Sequence, residues 1–356
     1  MGEWKEYKLG DIISLGNGKV RPKDIGDIPV YGGNGILGYC NSSNYDGEII
    51  VIGRVGAYCG SVYYENRPIW ISDNALAAKS KKEYSTKFIY YLLKKLRLND
   101  YAEGSSHPLI TQNLLNAIDV LFIDDIEEQK SITSILSSLD DKIDLLYQEN
   151  KTLEAMAETL FRKWFIEEVR HEVSLGDVVE TTSGGTPSRK CEEYYQNGII
   201  DWVKSKELNR SFLLKTEEKI TVEAVENSST KFLPANSVLI AMYGATVGEY
   251  AIIAKEMTCN QAVCALKPND NYPYTYLYLW AKFMQDEFLN LACGAAQQNI
   301  SQVLIKQQPV CSDVSAVKQF HSIVEPFFEK LKQNEIQLSS LEEMKNVILS
   351  KLMNNE

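Results

Sequence analysis

Acid–base side chains are scarce in this 356-residue sequence, which holds only three histidines: His107, His171 and His321. It has no G-x-x-x-x-G-K-[ST] phosphate loop, no dinucleotide-binding glycine fingerprint after a strand, no H-E-x-x-H and no G-x-S-x-G. The Asn/Asp-Pro-Pro-aromatic stretch with which amino-methyltransferases hold a flipped base is missing too. Together these absences argue against an autonomous enzyme. The seven cysteines, an odd number without a C-x-x-C pair, fit thiols kept reduced in a cytoplasm. Cys259 and Cys264 lack a second Cys/His cluster, so they read as buried thiols and no metal site is expected. No apolar run approaches the roughly 18 residues of a membrane span, and Met1–Gly10 is too polar for a signal peptide. The expected location is cytoplasmic, with no membrane contact.

A basic excess is also missing. The net charge is −11, which argues against a global field that attracts nucleic acid. The deficit is uneven: residues 1–125 carry 14 Lys+Arg against 15 Asp+Glu, and residues 171–312 carry 12 against 16. Any nucleic-acid contact must therefore come from local basic loops.

What the sequence does contain is a repeat. Leu9–Ile13 ("LGDII") is followed by Gly16–Pro22 ("GNGKVRP"), and Leu175–Val179 ("LGDVV") is followed by Gly184–Arg189 ("GGTPSR"). Ile50–Gly60 ("IVIGRVGAYCG") matches Leu239–Gly248 ("LIAMYGATVG"), and Ser72–Ala75 matches Cys259–Ala262. The Tyr- and Leu-rich helices at Tyr84–Leu98 and Tyr272–Met284 correspond, as do Tyr101–His107 and Leu291–Gln297. The offset opens at 166 and settles near 188, so the second copy holds about 22 extra residues, expected around Cys191–Phe212.

Each copy ends in a helical pattern. Ile132, Leu136, Leu139, Ile143, Leu146, Asn150, Leu153, Ala157, Leu160 and Trp164 step by four and three. Adding 188 gives Phe320, Val324, Phe327, Leu331, Asn334, Leu338, Leu341, Lys345, Ile348 and Leu352. These are heptad seams, each roughly 50 Å long at 1.5 Å per residue, and neither can be buried on a small domain alone. Antiparallel pairing puts Asn150 against Asn334, Ala157 against Phe327 and Leu139 against Lys345, whose ammonium is expected to snorkel to solvent. A parallel pairing would leave Asn150 against a leucine, at a cost in free energy. Between the helices, short β-rich runs punctuated by Gly, Asn and Pro imply mixed α+β units. The expected organisation is residues 1–125, helix 126–170, residues 171–312 and helix 313–356: a pseudo-twofold internal repeat with an antiparallel coiled coil.

Glycines beside long polar or basic side chains mark the loops. Glycine lets backbone approach a partner closely, and Arg, Lys, Asn and Gln reach phosphates or base edges. In the first copy these residues are Asn17, Lys19, Arg21, Lys23, Tyr31, Asn34, Arg54, Tyr58 and His107. In the second they are Thr182, Ser183, Thr186, Ser188, Arg189, Lys190, Lys204, Lys206, Tyr243, Thr246, Gln297, Gln298 and Asn299.

With Trp4–Ile13 ("WKEYKLGDII"), Ile28–Gly35 ("IPVYGGNG"), "GGTPSR", Asp201–Ser205 ("DWVKS"), Cys259–Ala262 and Glu128-Gln129-Lys130 at the first helix, the whole chain resembles the DNA-specificity subunits of type I restriction-modification enzymes. The resemblance implies two target recognition domains, each reading one half of a bipartite sequence in double-stranded DNA, and helices paired as an antiparallel coiled coil. It implies two methyltransferase subunits as partners, which carry S-adenosylmethionine, restriction subunits in systems that have them, and no cofactor in this chain. The alternative reading of the residues is a coiled-coil scaffold whose globular units bind protein.

Overall fold

The computed structural model describes residues 3–104, 108–168, 170–293 and 299–354. It is a mixed α+β protein whose contacts divide into two units, Met1–Ile143 with Leu341–Glu356, and Asp144–Ser340. The dividing points fall inside the two long helices, Ile126–Phe161 and Val314–Asn354. Each helix lends its two halves to different cores.

In the first unit, the opening strand Trp4–Lys8 pairs antiparallel with Asp119–Ile123, bringing the ends of the domain together. A four-stranded sheet runs in the order Ile13–Asn17, Ala75–Ser80, Ile49–Gly53, Val62–Glu65. A three-stranded sheet places Ile28–Gly32 between Gly35–Cys40 and Trp70–Ile71. The strand Ile49–Gly53 is buried along its whole length, as expected of a run that is apolar on both faces. On one face Ile50 and Ile52 pack against the helix Thr86–Lys95, and on the other Ile49 and Val51 meet Tyr31, Ile69 and Ile71.

The second unit repeats the plan. Glu172–Ser174 pairs with Pro309–Cys311, and a sheet runs Glu180–Ser183, Val263–Lys267, Val238–Ala241, Tyr250–Ile253, with Phe212–Leu213 added at its edge. Ile200–Val203 lies between Lys219–Ile220 and Thr258–Cys259. The offset between equivalent hydrogen-bonded residues is 166 at Gly18 and Gly184, 172 at Tyr31 and Val203, and 188 at Gly53 and Ala241. Six extra residues therefore precede Val203 and sixteen lie between it and Ala241, so the insertion is split and extends past the expected Cys191–Phe212 stretch. It builds the edge strand Phe212–Leu213 and the helix Val222–Glu226.

Both long helices begin on an aspartate. Asp125 Oδ1 accepts from the N–H groups of Glu127 and Glu128, and Asp313 Oδ1 accepts from Ala316, satisfying donors that a helix start leaves free. The fully buried Gln129 ties the first helix to its domain: its Nε2 donates to Ile123 O at 2.7 Å and its Oε1 accepts from Ser85 N at 2.9 Å.

The seam positions from Ile132 to Trp164 and from Phe320 to Ile348 are buried or half-buried; the side chain of Leu352 lies outside the described residues. In the second unit Phe161 packs on Phe320, and Asn334 Nδ2 donates to Asn150 Oδ1 at 2.8 Å, so the helices run in opposite directions. The Asn layer is larger than the heptad pattern implies. Asn334 Nδ2 also donates to Glu149 at 2.9 Å, Asn150 Nδ2 donates to the buried Glu335 at 3.1 Å, and Arg210 reaches Glu335 at 3.4 Å. In the first unit Lys345 does not snorkel free: its Nζ binds Asp140, which also accepts from Tyr91 Oη at 2.7 Å. A nearby carboxylate compensates the ammonium better than the seam edge would. Asn334→Leu would leave Asn150 Oδ1 buried without a donor and is expected to cost the second unit about 1–3 kcal/mol. Chemical denaturation followed by tryptophan fluorescence checks this, and an unchanged midpoint contradicts it.

Candidate nucleic-acid interface

Four loops meet at one end of each domain, held by the same backbone hydrogen bonds in both copies. In the first, Gly18 N donates to Ala75 O, Lys19 N to Ile71 O, Arg54 N to Asn74 O and Ile110 N to Arg54 O. In the second, Gly184 N donates to Val263 O, Gly185 N to Cys259 O, Met242 N to Ala262 O and Ile300 N to Met242 O. The tight turn after the central strand is likewise doubled, with Gly60 N on Gly53 O and Gly248 N on Ala241 O. Gly60 and Gly248 have φ of 87° and 83°, a left-handed backbone that favours glycine. Gly18 and Gly184 are needed for close approach, since a Cβ there would lie 1.8 Å from Ser72 O and 2.2 Å from Cys259 O. Side chains repeat the pattern: Gln112 Nε2 donates to Asn17 Oδ1 at 2.9 Å, and Ser183 Oγ donates to Gln302 Oε1 at 2.8 Å.

The sequence-based candidates take three kinds of position. Asn17, Lys19, Arg21, Lys23, Asn34, Tyr58, Thr186, Ser188, Lys190, Tyr243 and Asn299 are exposed, and Tyr243 forms a β-bridge with Asn299. Ser183, Arg54 and Thr246 are half-buried, Thr246 Oγ1 donating to Tyr243 O at 3.2 Å. Tyr31 and Thr182 are buried. Tyr31 Oη donates to Glu65 at 2.6 Å, and burial, reinforced by that carboxylate, raises its pKa well above the ordinary tyrosine range. Thr182 Oγ1 accepts from Lys231 at 3.4 Å. His107, Gln297 and Gln298 lie outside the described residues.

Three cations of the second copy are already engaged. Arg189 donates through both Nη atoms to Glu218, at 2.9 Å for the Nη2 contact, and stacks on Tyr195 and Trp202 at 4.1 Å and 5.2 Å from the ring centroids. Lys204 lies 3.4 Å from Glu218 and 3.5 Å from Glu217, and Lys206 is 2.6 Å from Glu217. The Arg189 hydrogen bond holds the Glu218 carboxyl below its usual pKa, and Lys206 does the same for Glu217. Trp202 Nε1 in turn donates to Gly185 O at 3.0 Å, fixing the aromatic wall. Glu217, Glu218, Tyr195 and Trp202 were absent from the sequence-based set. Their one visible signal was the Trp202-Val203-Lys204 stretch, because nothing in the spacing of the two glutamates points back to Arg189.

Burial pushes the Cys259 and Cys264 thiols up to about 12, so they stay protonated at neutral pH. Among the described residues, no group of three or more His, Cys, Asp or Glu side chains could hold a metal ion, and no helix is long and apolar enough to cross a membrane.

The model of the type I restriction modification DNA specificity domain matches residues 1–155 and 167–311. The MjaIX type I restriction enzyme specificity subunit of Methanocaldococcus jannaschii is 23% identical over 344 residues, covering 87% of this chain and 77% of its own. The EcoR124I/EcoR124II specificity subunit of Escherichia coli is 30% identical over 207 residues, 54% of this chain and 50% of its own. A crystal structure of a type I restriction-modification S subunit from M. genitalium superposes with a TM-score of 0.70 at 18% identity, over 99% of this chain and 96% of that one.

The ion pairs make a pH prediction. Because the folded pKa of Glu218 is lowered, the contribution of its pair with Arg189 is fully present above the ordinary glutamate pKa of about 4.3. It is lost as pH falls through the lowered folded value. Trp202 fluorescence is expected to change in that acidic window in the native protein, and the change should vanish in Glu218→Gln. A change at neutral pH, or one that persists in the variant, contradicts the assignment.

Proposed function

We infer the function from the family to which the chain belongs, the type I restriction modification DNA specificity domain family. The chain is a non-catalytic DNA-specificity subunit of a type I restriction-modification system, with two tandem recognition domains. The observation that carries this reading is the doubled loop set: one backbone frame, held by the same hydrogen bonds twice, with different side chains on it. A frame built from N–H and C=O groups is indifferent to side chains, so its two copies are free to read two different half-sites.

In finer detail, residues 1–125 and 171–312 are the two readers, and 126–170 and 313–356 are the helices between and after them. The helices pair as an antiparallel coiled coil about a pseudo-twofold axis, a reading supported by the hydrogen bond between Asn334 and Asn150. Double-stranded DNA meets the loop ends. Lys19, Arg21, Lys23 and Lys190 contact phosphates, while Asn17, Asn34, Arg54, Tyr58, Tyr243 and Asn299 read bases. Two methyltransferase subunits dock on the helices and bring S-adenosylmethionine, with restriction subunits where the system has them, and the complex works in the cytoplasm.

With a net charge of −11, the chain has few cations to spend on counterion release. Alone it is expected to bind DNA weakly at physiological salt, while its complex with methyltransferase subunits selects a split motif from random duplexes. Enrichment of no motif by that complex would sink the reading, and nanomolar specific binding by the chain alone would sink the charge argument.

The helices act as a spacer, so that each reader meets its own half of the DNA target. Inserting residues into one long helix is expected to change the number of unread base pairs between the half-sites and leave both half-site sequences intact. A folded, active insertion variant that kept the original spacer would contradict this.

A further inference from the structure

Arg54 differs from every other cation at the loop ends. Its main chain is fixed on both sides, the N–H donating to Asn74 O at 3.0 Å and the carbonyl accepting from Ile110 N at 2.9 Å and Cys59 Sγ at 3.1 Å. The guanidinium that leaves this anchored point is half-buried, and its Nε has no hydrogen-bond partner and no contact with solvent. Among the described residues it forms no ion pair, in contrast to Arg189, Lys204 and Lys206. A buried donor without an acceptor is costly, and a native protein that keeps one has a use for it. An incoming acceptor, with a small movement of the side chain, relieves the cost.

Guanidinium offers five donors in a fixed fork and no acceptor. In the major groove guanine presents two adjacent acceptors, N7 and O6. Adenine sets an acceptor beside a donor, thymine an acceptor beside a methyl group, and cytosine a donor. The fork therefore matches guanine. Phosphate also accepts, but burial separates the two partners: Lys19, Arg21 and Lys23 stand exposed, whereas Arg54 is half-buried with its Nε out of solvent, on a main chain bonded to the loops of Asn74 and Ile110. The equivalent position in the second domain is Met242, buried and apolar, so that domain cannot make the same contact.

We propose that Arg54 is a specificity-determining residue of the first domain and reads a guanine through its N7 and O6 edge. This rests on the loop ends being the DNA-reading surface. The test is selection from random duplexes by the complex with methyltransferase subunits, carrying wild-type chain, Arg54→Ala or Arg54→Lys, with thermal unfolding of each variant as the folding control.

The wild-type motif is expected to contain a G·C pair that Arg54→Ala no longer selects. Affinity for the wild-type site should fall about 5- to 150-fold, with the other half-site and the spacer unchanged. Arg54→Lys keeps the charge without the fork and should also lose that one preference. It settles the matter if the alanine variant does not fold. An unchanged motif, an even loss across all sequences, or a lysine variant that still selects the same G·C pair each overturns the proposal. Absence of any motif with the wild-type complex instead overturns the DNA-reading assignment on which it rests.

Discussion

The apolar seams of the two long helices are the constraint on which the rest of the structure depends. A helix of 36 or 41 residues cannot hide its seam on a domain of this size, so each serves two cores. Ile132 and Leu136 join the first domain's core, and Ala157 and Phe161 join the second's. At the polar layer the same logic holds for hydrogen bonds. Asn150 and Asn334 sit where leucine would pack; both amide nitrogens and the Asn150 oxygen are answered, by each other and by Glu149 and Glu335, while the Asn334 oxygen is buried without a partner. A buried polar layer of this kind pins one register, because a shift would strand its donors and acceptors.

On each core the loop ends are held by main-chain hydrogen bonds, and this separates frame from content. Replacing Arg54 by Met242, or Tyr58 by Thr246, leaves the backbone bonds around them in place. Specificity can then differ between the two domains without a change of fold.

The two domains have also solved their electrostatics differently. The first leaves Lys19, Arg21 and Lys23 exposed. The second binds Arg189, Lys204 and Lys206 to Glu217 and Glu218. Its loop end therefore presents amides, hydroxyls and the aromatic Tyr243, with Lys190 the exposed cation among the candidates.

The repeat, the seams and the Asn positions in them were legible in the sequence because each is a matter of spacing, and spacing is local. Helix periodicity decides which side chains share a face before any tertiary contact forms. The division of the insertion around Val203, the pairing of Lys345 with Asp140, the burial of Tyr31 and Thr182, and the capture of Arg189 by Glu218 were not legible. Each depends on which distant segments meet, and a loop's charge says nothing about the partner folded against it. The same holds for Arg54: the sequence by itself determined that an arginine follows Gly53 in a glycine-rich turn, and only the tertiary structure decided that its Nε would be buried without a partner, because burial depends on which distant segments fold against the turn.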